Sequence, residues 1–176
     1  MSDMTDANVS YSMSSRWALG VNYWRFENDQ AIEREWQLMK LNHLLWRHNG
    51  EDSQANIYLH TGLGRFENGN GPGRTGWLGG VEMDWETRRH FVSLKYMQLG
   101  SPDGDNHLTV ARLGLSPTLA DFKSLQTWAM LQAWYAPWSD KTVTLTPLLR
   151  FFYNNILWEM GSTLKGDWML TLMVHY

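Results

Sequence analysis

Gln54-Ala-Asn-Ile-Tyr-Leu-His-Thr-Gly-Leu-Gly-Arg-Phe66 separates by parity into two unlike sets. The odd positions are Ala55, Ile57, Leu59, Thr61 and Leu63, and the even ones are Asn56, Tyr58, His60, Gly62 and Gly64. Successive strand side chains point to opposite faces, so this period of two predicts a β-strand with one apolar and one polar or small face. A helical period would scatter both sets.

The same alternation recurs on either side. Trp77, Val81, Met83 and Trp85 stand opposite Gly80, Glu82, Asp84 and Glu86; Val92, Leu94 and Tyr96 stand opposite Ser93 and Lys95. Between residues 142 and 152, Val143, Leu145, Pro147, Leu149 and Phe151 alternate with Thr142, Thr144, Thr146 and Arg150. Further alternating segments are Arg16 to Phe26, Glu35 to Arg47, Leu108 to Ser116, Leu125 to Tyr135, Ile156 to Leu164 and Trp168 to Tyr176, with a shorter one at Ala7 to Met13. Turn-forming clusters separate them, among them Asn49-Gly-Glu-Asp52, Asn68-Gly-Asn-Gly-Pro-Gly73, Ser101-Pro-Asp-Gly-Asp105 and Asn154-Asn155. The expected organisation is one all-β domain over residues 1–176, an antiparallel up-and-down meander without a helix of normal length; Pro117 to Ser124 is the connection with room for a short helical turn.

Composition narrows what such a meander can be. The chain of 176 residues has no Cys, a net charge of −3, and 24 aromatic residues, 11 of them Trp. The absence of Cys excludes a disulfide framework and a Cys-based zinc site, the charge disfavours nucleic acid as a partner, and the aromatic load excludes disorder. No run of about 18 apolar residues is present, which excludes helical membrane spans. Met1 to Ser12 lacks a basic start followed by an apolar stretch, so the expectation is a cytosolic protein or a numbering that begins after processing or truncation.

Three features favour a transmembrane barrel over a soluble one. Most segments have the 9 to 11 residues or so of a membrane strand. Aromatic residues stand next to turns: Tyr23, Trp24, Trp77, Trp85, Trp134, Trp138, Trp158, Trp168 and Tyr176 are expected to form two interfacial girdles. A mean hydropathy of −0.43 fits as well, because a barrel in lipid needs only every second residue to be apolar. The competing reading is a soluble barrel enclosing a ligand with its apolar face; its polar face would then carry few charges for a water-exposed surface. Bacterial barrels have an even strand count with both ends periplasmic, which eleven segments do not satisfy, so the expectation is a barrel of about twelve strands whose first is missing or lies in a truncated part, with ten as the runner-up.

The ending Trp168-Met-Leu-Thr-Leu-Met-Val-His-Tyr176 resembles the C-terminal strand of bacterial outer-membrane barrels, which finishes on an aromatic residue read by the barrel assembly machinery. Asp52-Ser-Gln-Ala-Asn-Ile-Tyr-Leu59 and Thr144-Leu-Thr-Pro-Leu-Leu-Arg-Phe-Phe152 are similar to an uncharacterised family of small outer-membrane barrels associated with heavy-metal efflux gene neighbourhoods. The resemblance implies a bacterial outer-membrane location, with lipid and the barrel assembly machinery as partners and another envelope protein as a further candidate, and no catalytic residues or cofactor.

Placing the polar parity inward assigns Lys40, Asn42, Asn56, Tyr58, His60, Glu82, Asp84, Glu86, Lys95, Arg112, Gln132, Arg150, Glu159 and His175 to the lumen. Both signs of charge are present, so two readings stand: a lumen filled by ion pairs, as in a structural or interaction barrel, or a narrow channel or transport accessory. Met97, Met130, Met169 and Met173 share the inward parity, and thioethers with His175 would suit Cu(I) or Ag(I) in an efflux accessory. No Gly-x-Ser-x-Gly, His-Glu-x-x-His or phosphate loop occurs, so no enzyme is expected. The stretches Glu27 to Ile32, Glu67 to Thr75 and Gly100 to His107 are expected as long extracellular loops.

Overall fold

A computed structural model describes residues 5–27, 33–69, 72–117, 124–137, 143–164 and 166–174. Alternation becomes eleven strands: β1 (Thr5–Ser12), β2 (Trp17–Glu27), β3 (Glu33–Asn49), β4 (Ser53–Glu67), β5 (Arg74–Thr87), β6 (His90–Ser101), β7 (Gly104–Leu115), β8 (Gln126–Tyr135), β9 (Val143–Tyr153), β10 (Ile156–Ser162) and β11 (Trp168–Val174). Each pairs with its sequence neighbours, and β1 pairs with β11, closing one barrel.

Closure occurs with eleven strands, where twelve or ten were expected. β1 and β11 run in the same direction and pair in parallel from Thr5↔Trp168 to Tyr11↔Val174, while every other pair is antiparallel. An odd number of up-and-down strands leaves its first and last strands parallel, and the ladder tolerates such a pair at slightly lower stability per residue.

The register fixes the shape. A hydrogen-bonded path that leaves β4 at Gln54 and passes once around the barrel returns to β4 at Phe66, a stagger of 12 residues. With ordinary strand spacing and rise, this gives a tilt of about 37° and a radius of about 10.5 Å. Side chains from opposite walls therefore nearly meet, and the lumen can be filled by packing.

We call lower the end that holds the short connections at 13–16, 50–52, 88–89 and 154–155 and the last residues of β11. The upper end holds the connections that follow β2, β4, β6, β8 and β10. Gly100 to His107 is not a long loop: β6 and β7 run to a two-residue turn at Pro102-Asp103, completed by Gly104 at φ +115°, a conformation glycine adopts without steric cost. Pro117 is described, but residues 118–123, where a helical turn had room, are outside the described residues.

The outer wall is apolar all round. Val21, Met39, Leu63, Leu94, Leu113, Leu131, Leu145 and Leu170 are each at least 45% exposed, and 33 large hydrophobic side chains are exposed among the described residues. Charges on the outer wall collect at the upper rim, in the pairs Arg25–Glu33 and Arg65–Glu67. A bulge in β3 between Leu44 and Trp46 turns both Leu45 and Trp46 outward.

The rings expected in the girdles divide. Trp77 and Trp168 stand on the outer wall near the upper end, and Trp85 near the lower, joined there by Trp17 and Trp46. Tyr23 and Trp158 share the outward parity of their strands. Trp24 and Trp134 instead point into the lumen, 2% and 4% exposed. Proximity to a turn had selected them, but parity governs: Trp24 adjoins outward Tyr23, and neighbours in a strand cannot share a face. Trp138 and Tyr176 lie outside the described residues.

Candidate functional site

An apolar plug occupies the upper lumen. Trp24, Phe26, Trp36, Leu38, Phe66, Leu78, Met97, Leu99, Leu108, Val110, Trp134 and Ala136 form one buried cluster. Trp36 lies against Phe66 with ring centroids 4.8 Å apart, and Phe26 meets Trp36 at 6.2 Å and Trp134 at 6.0 Å. Gly76 makes room for these rings, because a Cβ there would meet Phe66 Cβ at 3.1 Å and Trp36 Cδ1 at 3.2 Å. Edge and tilted aromatic contacts of this kind add about 0.5–1.5 kcal/mol each to the burial of the rings.

Below this plug the lumen opens into a cavity of about 530 Å³, lined by strands from the whole circumference and reaching the β1–β2 turn at Ser14, Ser15 and Arg16. It is a cup, floored by Trp24 and Trp134 and extending to the lower end of the barrel among the described residues. Lys40, Asn56, Tyr58, His60, Glu82, Asp84, Lys95, Arg112, Gln132, Arg150 and Glu159 all line it, as do Asn42 and Glu86.

Two charge clusters organise the walls. On β3, β4, β5 and β6, His60 Nδ1 is 2.6 Å from Asn42 Oδ1 and its Nε2 is 3.0 Å from Glu82 Oε2, which also pairs with Lys95 Nζ at 2.7 Å. Both ring nitrogens of His60 are therefore engaged, and none remains to take a proton from a substrate. On β7, β9 and β10, Glu159, 1% exposed, sits between two guanidinium groups, with Arg150 Nε at 2.6 Å and Arg112 Nη1 at 3.2 Å. Arg112 Nε also donates to Gln132 Oε1 at 2.6 Å, and the Arg150 guanidinium lies 4.3 Å over the Phe91 ring. One carboxylate between two guanidiniums leaves this wall with an excess of positive charge.

The remaining acids are held by neutral donors. Asn56 Nδ2 donates to Asp84 at 2.7 Å and Gln54 Nε2 to Glu86 at 3.3 Å, both near the mouth of the cup. Asp6 accepts from Trp24 Nε1 at 2.7 Å and Asn22 Nδ2 at 3.2 Å. Parity in β1 places Asp6 inward, one residue before the alternating segment expected at Ala7 to Met13.

The thioethers do not converge on one centre. Met97 belongs to the upper plug, Met130 and Met169 pack in a second cluster with Phe91, Trp128 and Leu148, and Met173 is on the cavity wall. Met169 Sδ already accepts from Gln132 Nε2 at 3.4 Å. His175 lies outside the described residues. Among the described residues, no three His, Asp or Glu side chains are grouped to hold a metal ion.

Comparison with protein-family models, curated proteins and solved structures yields no match.

Proposed function

We propose that the chain is a bacterial outer-membrane β-barrel whose lumen is a one-ended cup rather than an open pore. The inversion of polarity carries this reading. Apolar side chains cover the outer wall, while Lys40, Glu82, Lys95, Arg112, Arg150 and Glu159 are turned inward. In water that arrangement would expose a continuous apolar surface far larger than soluble monomers carry; in a bilayer it is the arrangement that lipid requires. Strands of 11 residues tilted by about 37° rise roughly 29 Å, close to the hydrocarbon thickness.

The short lower turns and the end of β11 face the periplasm in this reading, and the upper connections face outward. The odd strand count departs from bacterial single-chain barrels, although an odd-stranded mitochondrial barrel is known. The apolar upper plug supports a structural or interaction role in the envelope, because it stands in the way of solute passage. A gated channel is the second reading, favoured by the cavity that already occupies the lower lumen.

Heat-modifiable migration in outer-membrane fractions, followed by planar-bilayer conductance of the same protein, tests both statements. A folded, membrane-resident species without current is expected. Discrete current steps would replace the plugged barrel with the channel, and a soluble species that is not heat-modifiable would remove the membrane assignment.

A further inference from the structure

We propose that the lumenal cup binds a small solute through a single oxyanion group, phosphate or carboxylate. The inference rests on the closed barrel and not on the bilayer, so it can fail or hold separately from the membrane reading.

The floor of the cup presents donors that lack acceptors. Lys40 is 6% exposed and lines the cavity. Its register partners are Gly20 on β2 and Gly62 on β4, so neither adjoining strand supplies a side chain directly opposite it. The nearby carboxylates have other partners: Glu82 holds Lys95 and His60, and Asp6 holds Asn22 and Trp24. Among the described residues none lies within ion-pair distance of Lys40. Five strand positions away around the barrel, nearly opposite, Trp134 also lines the cavity, 4% exposed, and its indole Nε1 has no hydrogen-bond acceptor.

A buried ammonium and a buried indole N–H each carry a desolvation penalty that an anionic acceptor between them would offset. Burial of a cation is costly unless it is paired, so Lys40 is the strongest single pointer to the sign of the ligand.

The wall beside Trp134 adds the geometry. Arg112 spends Nε on Gln132 and Nη1 on Glu159, and Arg150 spends Nε on Glu159. Arg112 Nη2 and both terminal nitrogens of Arg150 have no acceptor among the described residues, and both side chains line the cup. Planar guanidinium edges match two oxygens of a phosphate or carboxylate. The occupant's oxyanion lies between Lys40, Trp134 and Arg112, with the rest of the molecule directed down past Arg150. Asp84 and Glu86 near the mouth repel multiple negative charge, which selects a small solute with one oxyanion over a polyphosphate or an acidic polymer. The cavity volume falls in the range of ordinary small-molecule sites.

The test is thermal unfolding of the folded 176-residue chain with inorganic phosphate and, separately, with butyrate, which carries one carboxylate. It is run in detergent if the protein fractionates with membrane and without it otherwise. Ligand-dependent stabilisation by either anion is expected, and the preferred one identifies the headgroup. Lys40→Met keeps the length of the side chain and removes the buried charge, so it should fold; it is expected to weaken binding by about tenfold or more. Trp134→Phe deletes only the N–H donor and part of the ring, and should weaken binding by about threefold to tenfold. Arg25→Gln on the outer rim should leave binding unchanged. No stabilisation by either anion up to about 10 mM overturns the proposal. So does stabilisation that is undiminished in Lys40→Met, or stabilisation by putrescine in place of the anions.

Discussion

The two halves of the lumen are built from the same alternating strands and closed by opposite means. Above, Trp36, Phe66, Leu99 and Leu108 are fully buried and packed ring against ring. Below, a buried carboxylate is shared by two guanidiniums and a second by lysine and histidine, and space remains between the walls. Apolar packing is non-directional and fills whatever volume the barrel radius leaves. Charges need partners at fixed distances and stay apart from like neighbours, so the same radius leaves a cavity where the lining is ionic.

Removing the shared carboxylate strikes the lower half hardest. Glu159→Ala leaves Arg112 and Arg150 facing each other without compensation, and unfolding in urea should show a loss of about 3–5 kcal/mol. In the upper half, Phe66→Ala should cost about 3–4 kcal/mol by the same assay, through the cavity it opens beneath Trp36. The two variants should also differ in conductance: any current should come from Phe66→Ala, which thins the plug, while Glu159→Ala leaves the plug in place.

The outer wall supplies a third contrast. Leu131→Arg puts a cation on the middle of the apolar band and should destabilise the bilayer-inserted barrel by about 2–3 kcal/mol; a soluble barrel would lose almost nothing at a site already 45% exposed. The smallest effect belongs to the rim, where Arg25→Gln breaks a half-exposed pair with Glu33 and should change stability by less than about 0.5 kcal/mol.

Alternation made the strands and their facing legible before any coordinates. Gln54 to Phe66 separates His60 from Leu63 by parity alone; His60 is buried against the cavity and Leu63 is 65% exposed. Parity says nothing of height along the barrel axis. That depends on a stagger accumulated over every pairing, so the meeting of Arg112 with Glu159, 47 positions apart, was out of reach of the sequence. The separation of aromatic plug from ionic cup was hidden for the same reason, as was the dispersal of Met97, Met130, Met169 and Met173. Trp24 and Trp134 were misread where a local cue, nearness to a turn, was followed in place of the period. Over Gly100 to His107 the turn-forming composition predicts a long loop, whereas two residues between β6 and β7 suffice. The parallel seam joins the most distant parts of the sequence, and no local pattern announces such a pairing.

That seam sets an order of events. Thr5 meets Trp168, so β1 keeps one edge unsatisfied until β11 has taken its place. Closing so long a loop costs entropy that local hairpins do not, and pairings of such sequence separation form slowly. Hairpins from β2 to β10 can form from local pairings, but the ring locks in a single late step. Until then, two open edges are available to any other strand, and an escort that shields them would act at β1 and β11.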